Sequence, residues 1–227
     1  MMPPMVVRRA LEVGLDLIAI CDHNSAENVG AVRRAAEGTG LTVLPGMEIT
    51  SREEVHVVGL FEDNCTVHSV QEVVYRHLHG ENDADAFGEQ LVMDARGKVL
   101  RHNPRLLIGA TDLSLGEVVR TIHEARGLAI AAHIDRPSFS LLSQLGFIPE
   151  GLGLDGVGVY AAYASKVEET PVLPKELGVL RSSDAHRLEE IGVRRTHLLM
   201  EQATHAELRM ALKSVEGRRI VKEGLVV

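Results

Sequence analysis

The chain carries eleven histidines, and their positions relative to apolar runs divide them into two groups. His23, His133 and His186 stand just past short apolar stretches, Leu15 to Ile20, Leu128 to Ala132 and Gly178 to Ser182. His56 lies within a fourth stretch, Val55 to Leu60, and Glu48 closely follows a fifth, Leu41 to Leu44. Asp22 and Asp184 accompany His23 and His186 at the same strand ends. The others, His68, His77, His79, His102, His123, His197 and His205, fall on expected helices, an expected hairpin or a late strand. In parallel α/β folds catalytic groups collect at the carboxyl ends of strands, because the loops there converge on one face. Imidazoles and carboxylates meeting on one rim form a mixed nitrogen and oxygen donor set of the kind that holds Zn²⁺, Mn²⁺ or Fe.

Each residue alone has a purely structural alternative. His56 between valines reads as a satisfied core histidine, and Asp22-His23-Asn24-Ser25 reads as a helix cap, since Asn and Ser are good N-caps. Asp184-Ala185-His186 reads as a turn and Glu48 as an ordinary exposed carboxylate. Taken together the structural readings weaken, because independent surface residues have no reason to select strand ends in separate units.

The elements that must position these groups follow from periodicity. A helix is expected over Val6 to Val13, closed by Gly14, and a second from Ser25 to about Glu37, stopped at Gly38-Thr39-Gly40. A helix from about Thr66 to His79, a polar stretch and a hairpin (Leu91 to Met93, Asp94 to Gly97, Lys98 to Leu100) break the strand–helix rhythm between Phe61 and Asp112. This segment reads as an insertion forming a cap. Ser114 and Glu117 form a capping box opening a helix that ends near Arg126-Gly127. Leu154 to Tyr160 is expected as a strand, Ala161 to Glu169 as a helix, Thr196 to Met200 as a strand, and Thr204 with Glu207 caps the last helix. Alternation of strands and helices argues for a parallel sheet or barrel, in one domain covering residues 1–227.

Composition narrows the function classes. Hydrophobic content is 45%, aromatics only 3% and there is no Trp, so the core rests on Val, Leu, Ile and Ala, as buried parallel strands do. A net charge of −8 argues against broad non-specific nucleic-acid binding, but not against a short nucleotide or one strand end in a local pocket. Cys21 and Cys65 suggest no disulfide framework, which makes the reducing cytoplasm the expected location. No signal peptide is read at Met1-Met2-Pro3-Pro4, and no apolar run is long enough to span a membrane.

The order of motifs resembles the PHP (polymerase and histidinol phosphatase) family. Ile18-Ala19-Ile20-Cys21-Asp22-His23-Asn24 is similar to its Thr-Asp-His segment, and Gly46-Met47-Glu48-Ile49 to the strand end bearing its bridging glutamate. His56-Val57-Val58-Gly59-Leu60 resembles its next histidine strand. Ala132-His133-Ile134-Asp135-Arg136-Pro137 stands where the family has His-Pro, with Ile134 in place of that Pro, and Ser183-Asp184-Ala185-His186 resembles its closing Asp-x-His.

The resemblance implies a distorted (β/α)7 barrel, here lacking its first strand and carrying a helix-plus-hairpin insertion at about 61–112. It implies up to three divalent transition metals (Mn, Zn or Fe), fewer in this chain. Carried over, Glu48, His56 and His133 hold one metal, Glu48 and Asp184 contribute to a second, and His23 and His186 to a third. Asp22 hydrogen-bonds to that site or ligates directly, so that Asp22 and Asp184 are the catalytic carboxylates, and Arg136 is the candidate for substrate phosphate. The family opens with a His-x-His strand, whereas this chain starts at the following helix. A longer natural chain is therefore expected, whose added strand would raise melting temperature and activity. The implied activity is hydrolysis of phosphate monoesters, or of phosphodiesters at nucleotide and oligonucleotide 5′ ends, by metal-activated water. The alternatives are an amidohydrolase-like C–N hydrolase, a non-catalytic metal-binding module with a reduced site, and a relic without metal.

Overall fold

A computed structural model describes residues 1–160 and 177–221. The expected helix at 161–169 lies outside the described residues. The central element is a six-stranded sheet in the order β1 (Leu17–Ile20), β2 (Thr42–Thr50), β3 (His56–Leu60), β6 (Leu128–Ala131), β7 (Gly156–Val159), β8 (Gly178–Arg181). It curls into a half-barrel: the rings of His23, past β1, and His186, past β8, lie 5.9 Å apart although their strands are the two ends of the sheet.

The sheet is mixed, not parallel throughout. β1 with β2, β6 with β7 and β7 with β8 are parallel, but β3 runs antiparallel to both β2 and β6. The cause is the length of the β2–β3 connection. Residues 51–55 are far too few for a crossover, which needs a dozen or more, so the chain reverses in a hairpin closed by Ser51 N donating to Val55 O at 2.9 Å. Thr196 to Met200 does not join this sheet. Its central part, β9 (His197–Leu199), pairs antiparallel with β10 (Arg219–Val221).

Helices cover the sheet where their apolar stripes dictate. α1 (Pro3–Glu12) starts on two prolines that its first turn tolerates, and buries Val6, Val7 and Ala10 against Val32, Leu41, Val43 and Ile191. α2 is shorter than expected (Val29–Ala35), because Ser25 to Asn28 are drawn out to bind the segment above them. α5 (Leu115–Glu124) has the expected capping box, and α7 (His205–Lys213) the expected Thr204 cap, accepting from Glu207 N.

Segment 61–112 comprises α3 (Asn64–His77), a single-turn α4 (Ala84–Phe87) and the expected hairpin of β4 (Leu91–Met93) with β5 (Val99–His102). It sits on the loop that follows His23. Gln71 Oε1 accepts from Ala26 N at 2.7 Å, Tyr75 Oη meets Ser25 Oγ at 3.1 Å, and Arg101 pairs with Glu27 at 2.7 Å. Asn24, fully buried at φ 47°, donates to Leu107 O and Gly109 O at 2.9 and 2.8 Å and accepts from Thr50 N at 3.0 Å. One side chain thus locks the ends of β1 and β2 to segment 61–112.

Close approach of β1 and β2 rests on Gly46. A Cβ there would lie 2.5 Å from Cys21 Sγ and 3.0 Å from Ile20 O. Gly46→Ala is therefore expected to destabilise the fold by about 1–3 kcal/mol and to weaken metal binding by displacing Glu48 from His23. Denaturant unfolding and metal titration of the variant test this, and wild-type values in both would contradict it.

Candidate metal centre

Strand register brings the principal residues together. The parallel ladder of β1 and β2 continues past Ile20: Glu48 N donates to Asp22 O at 3.1 Å and Asn24 N to Glu48 O at 2.8 Å, so His23 and Glu48 are register partners. Across the hairpin Glu48 faces Val58 and Thr50 faces His56. Partners and residues two apart share a sheet face, which puts His23, Glu48 and His56 on one side. Because β3 is antiparallel, its first residue, His56, lies on the rim reached by the last residues of its neighbours. His133, just past β6, would by alternation point to the opposite face from Ala132, whose N–H pairs with His56 O at 3.0 Å. A φ of 26° at His133 breaks that alternation, a strained conformation of the kind that concentrates at functional sites.

Glu48 is the hub. Its Oε1 lies 3.5 Å from both His56 Nδ1 and His133 Nε2, and those two nitrogens are 3.2 Å apart. Its Oε2 lies 3.4 Å from His23 Nδ1. Ligand atoms of His23, Glu48 and His56 can all lie within 4.8 Å of one another, and Glu48, His56 and His133 form a second, tighter triangle. The carboxylate contacts are longer than charge-assisted hydrogen bonds, which run at about 2.7–2.9 Å. They match the edge of a coordination shell, since bonds of about 2.0–2.2 Å at tetrahedral angles set ligand atoms about 3.4 Å apart. The buried Nδ1 of His23, which faces Glu48 Oε2, finds no hydrogen-bond partner among the described residues. The donor set, its spacing and this orphan nitrogen fit a divalent transition metal.

Electrostatics keep the groups in ligating form. Burial pushes the Glu48 carboxyl up, but the imidazoles of His133, His56 and His23 gathered around it outweigh this and hold the group well below the usual carboxylate range. Burial lowers His23, opposed by Glu48 and reinforced by His56 and His186. With Glu48 ionised throughout, acid must release metal by protonating imidazoles. Affinity is expected to be flat above about pH 7 and to fall as pH drops through and below the ordinary imidazole pKa of about 6.5. A metal titration that held its affinity down to about pH 5, beyond that range, would contradict the assignment.

The remaining expected residues lie around the hub. Asp184, at φ 47°, does not enter the Glu48 cluster. Its Oδ2 is 2.8 Å from Arg136 Nη1 and its Oδ1 4.0 Å from His186 Nδ1. The His186 imidazole is 58% exposed, with Nδ1 3.0 Å from the Asp184 carbonyl. Arg136 therefore has a carboxylate partner already, and its guanidinium lies 4.2 Å from the centre of the Tyr160 ring, as does that of Arg194. Asp22 is next to His23 in an extended segment and so faces the other way. Burial raises its carboxyl and a hydrogen bond from Asn28 opposes this.

Of the histidines set aside, His77 and His79 clasp Asp112 at the surface, and His205 Nε2 donates to Leu60 O at 3.1 Å, at the opposite end of β3 from His56. The sequence reading took Asn24 only as a helix cap and did not single out Tyr160 or Phe139. Phe139 has the plainest signal available, an aromatic in an aromatic-poor chain, six residues after His133.

Fold and site together define a curled α/β half-barrel with a histidine–carboxylate centre of metal-binding type on its rim. No family model matches the chain. It is 27% identical over 147 residues, 63% of its length, to a 5′-3′ exoribonuclease of Haemophilus influenzae. The fold is shared with endonuclease Q, a lesion-specific endonuclease from Pyrococcus furiosus, at a TM-score of 0.73 and 18% identity over 96% of this chain. It is also shared with a protein of Bifidobacterium adolescentis described as a metal-dependent phosphoesterase, at a TM-score of 0.55 and 20% identity over 86% of each chain. The chain spans 51% of the exoribonuclease and 52% of the endonuclease. Among the described residues no helix is long and apolar enough to cross a membrane.

Proposed function

We propose that this protein is a metal-dependent phosphoesterase of the PHP type that hydrolyses phosphate monoesters or phosphodiesters at the 5′ ends of nucleotides and oligonucleotides. The observation that carries the reading is Glu48, a buried ionised carboxylate with one oxygen toward His56 and His133 and the other toward His23. In this assignment Glu48, His56 and His133 would hold one cation, and the other Glu48 oxygen with His23 would serve a further one, on the side where His186 and Asp184 lie. Bound cations would acidify a water and neutralise phosphoryl oxygens. Glu48, with one oxygen toward each group of imidazoles, would serve both sites, and the strained His133 backbone holds its imidazole on the rim. Asp184 lies in ion-pair distance of Arg136, with Oδ2 2.8 Å from Nη1, and would hold the guanidinium beside the site, whose planar donors suit a substrate phosphate. Asp22, turned from the hub, supports the loop behind His23. The three relatives named above, two of them nucleases by name, support a nucleotide or short nucleic-acid substrate.

The test is a hydrolysis screen of the Mn²⁺- or Zn²⁺-reconstituted protein. It sets nucleoside monophosphates and short 5′-phosphorylated oligonucleotides against acyl amides. Release of phosphate or nucleotide, abolished by chelation and restored by metal, is the expected result. Cleavage of amides alone would place the chain among C–N hydrolases, and metal retention without hydrolysis would make it a binding module.

A further inference from the structure

From the geometry of the loop after β6 we infer that Phe139 is a stacking platform for a nucleobase, which makes the substrate a nucleotide and not merely a phosphate ester; this rests on the function proposed above. The loop carries three groups in sequence: His133 at the hub, Arg136 beside Asp184, and Phe139. The Phe139 ring lies on the His56 imidazole, with centroids 4.9 Å apart and planes inclined by 19°, while its backbone carbonyl accepts from His56 N at 3.0 Å. The residue is held at φ 54°, a conformation rare for a bulky side chain and costly enough to persist only where the surroundings enforce it.

Phe61 is fully buried and Phe87 and Phe147 are each 59% exposed, whereas Phe139, 38% exposed, has one face laid on a histidine of the hub. The ring therefore covers a histidine of the hub and still reaches the surface, on the same loop as Arg136. Every nucleobase offers a π-face to such a ring, so the contact would favour nucleotides over other phosphate esters without choosing among bases.

The chain has no Trp, so Phe139→Trp introduces a single indole at the platform. In the Zn²⁺-loaded variant, adenosine 5′-monophosphate is expected to quench its fluorescence saturably and ribose 5-phosphate is not. Phe139→Leu keeps an apolar cover on His56 but removes the π-face. It is expected to retain metal and to lose on the order of 10- to 100-fold of the preference for adenosine 5′-monophosphate over ribose 5-phosphate. Equal quenching by both compounds, quenching by neither, or an unchanged preference in Phe139→Leu would overturn the inference. Hydrolysis of phosphate esters with no preference for a base would sink the platform and leave the phosphoesterase standing. Base-dependent quenching in a protein that cleaves no phosphate ester would do the reverse.

Discussion

Glu48→Ala is expected to lower divalent-metal affinity by more than about 100-fold and to abolish phosphate-ester hydrolysis. Loss of a group that only orients a ligand typically costs about 10- to 100-fold in affinity or activity, and Glu48 is placed to ligate directly. Its two oxygens face different imidazoles, at 3.5 Å to His56 and His133 and at 3.4 Å to His23. Removing it would leave only neutral imidazoles to hold the cations in a buried site, so both cation positions would fail at once. Glu62→Ala and Glu117→Ala provide the contrast, since Glu62 is exposed just past the end of β3 opposite His56 and Glu117 only closes the cap of α5. A metal titration showing wild-type affinity in Glu48→Ala, with loss in either control, would show that the wrong carboxylate has been assigned.

The second large effect is on stability. The hub has no counterpart in the unfolded chain, so metal binding should stabilise the fold by mass action. The gain is about 4 kcal/mol at a free metal concentration a thousand times Kd. For a chain of this size each kcal/mol moves the melting temperature by about 2–4 °C. A rise of about 8–16 °C is therefore expected on saturation with Zn²⁺ or Mn²⁺. His77→Ala should keep the whole rise, because its partner is the surface Asp112. His205→Ala should melt earlier, having lost its bond to Leu60 O, yet gain as much from metal. Glu48→Ala should gain almost nothing. An equal rise in all the variants would indicate binding elsewhere on the surface.

These contrasts depend on sorting the histidines by their place relative to strands, which is where the sequence was most legible. A histidine just past an apolar run is visible without coordinates, and of the three so picked His23 and His133 lie against Glu48 while His186 lies off it, exposed beside Asp184. His56 met the rim for a different reason. It begins a strand, and only the reversal of β3 makes a strand start equivalent to its neighbours' ends. The five-residue connection at 51–55 contained that information, because no parallel crossover fits it. Register then did what periodicity could not, pairing His23 with Glu48 and placing His56 diagonally from it.

What stayed illegible depended on tertiary partners. Ser25 to Asn28 have the residue types of a helix start, but their polar groups are taken by Tyr75, Gln71 and the β4 strand, so α2 begins later. Thr196 to Met200 has strand composition, yet nothing in it reveals that its partner is β10. Arg136 and Asp184 were each assigned a role separately, and their mutual ion pair emerges only where the loops after β6 and β8 meet. Phe139 sits in an irregular loop at positive φ, where neither helical nor strand periodicity operates.

Elemental analysis of the metal-reconstituted, desalted full chain near neutral pH tests the central claim most directly. The account predicts at least one Zn²⁺ or Mn²⁺ retained per chain, lost in Glu48→Ala, His56→Ala and His133→Ala and kept in His77→Ala and His205→Ala. A wild-type chain that emerges with no bound metal would contradict it.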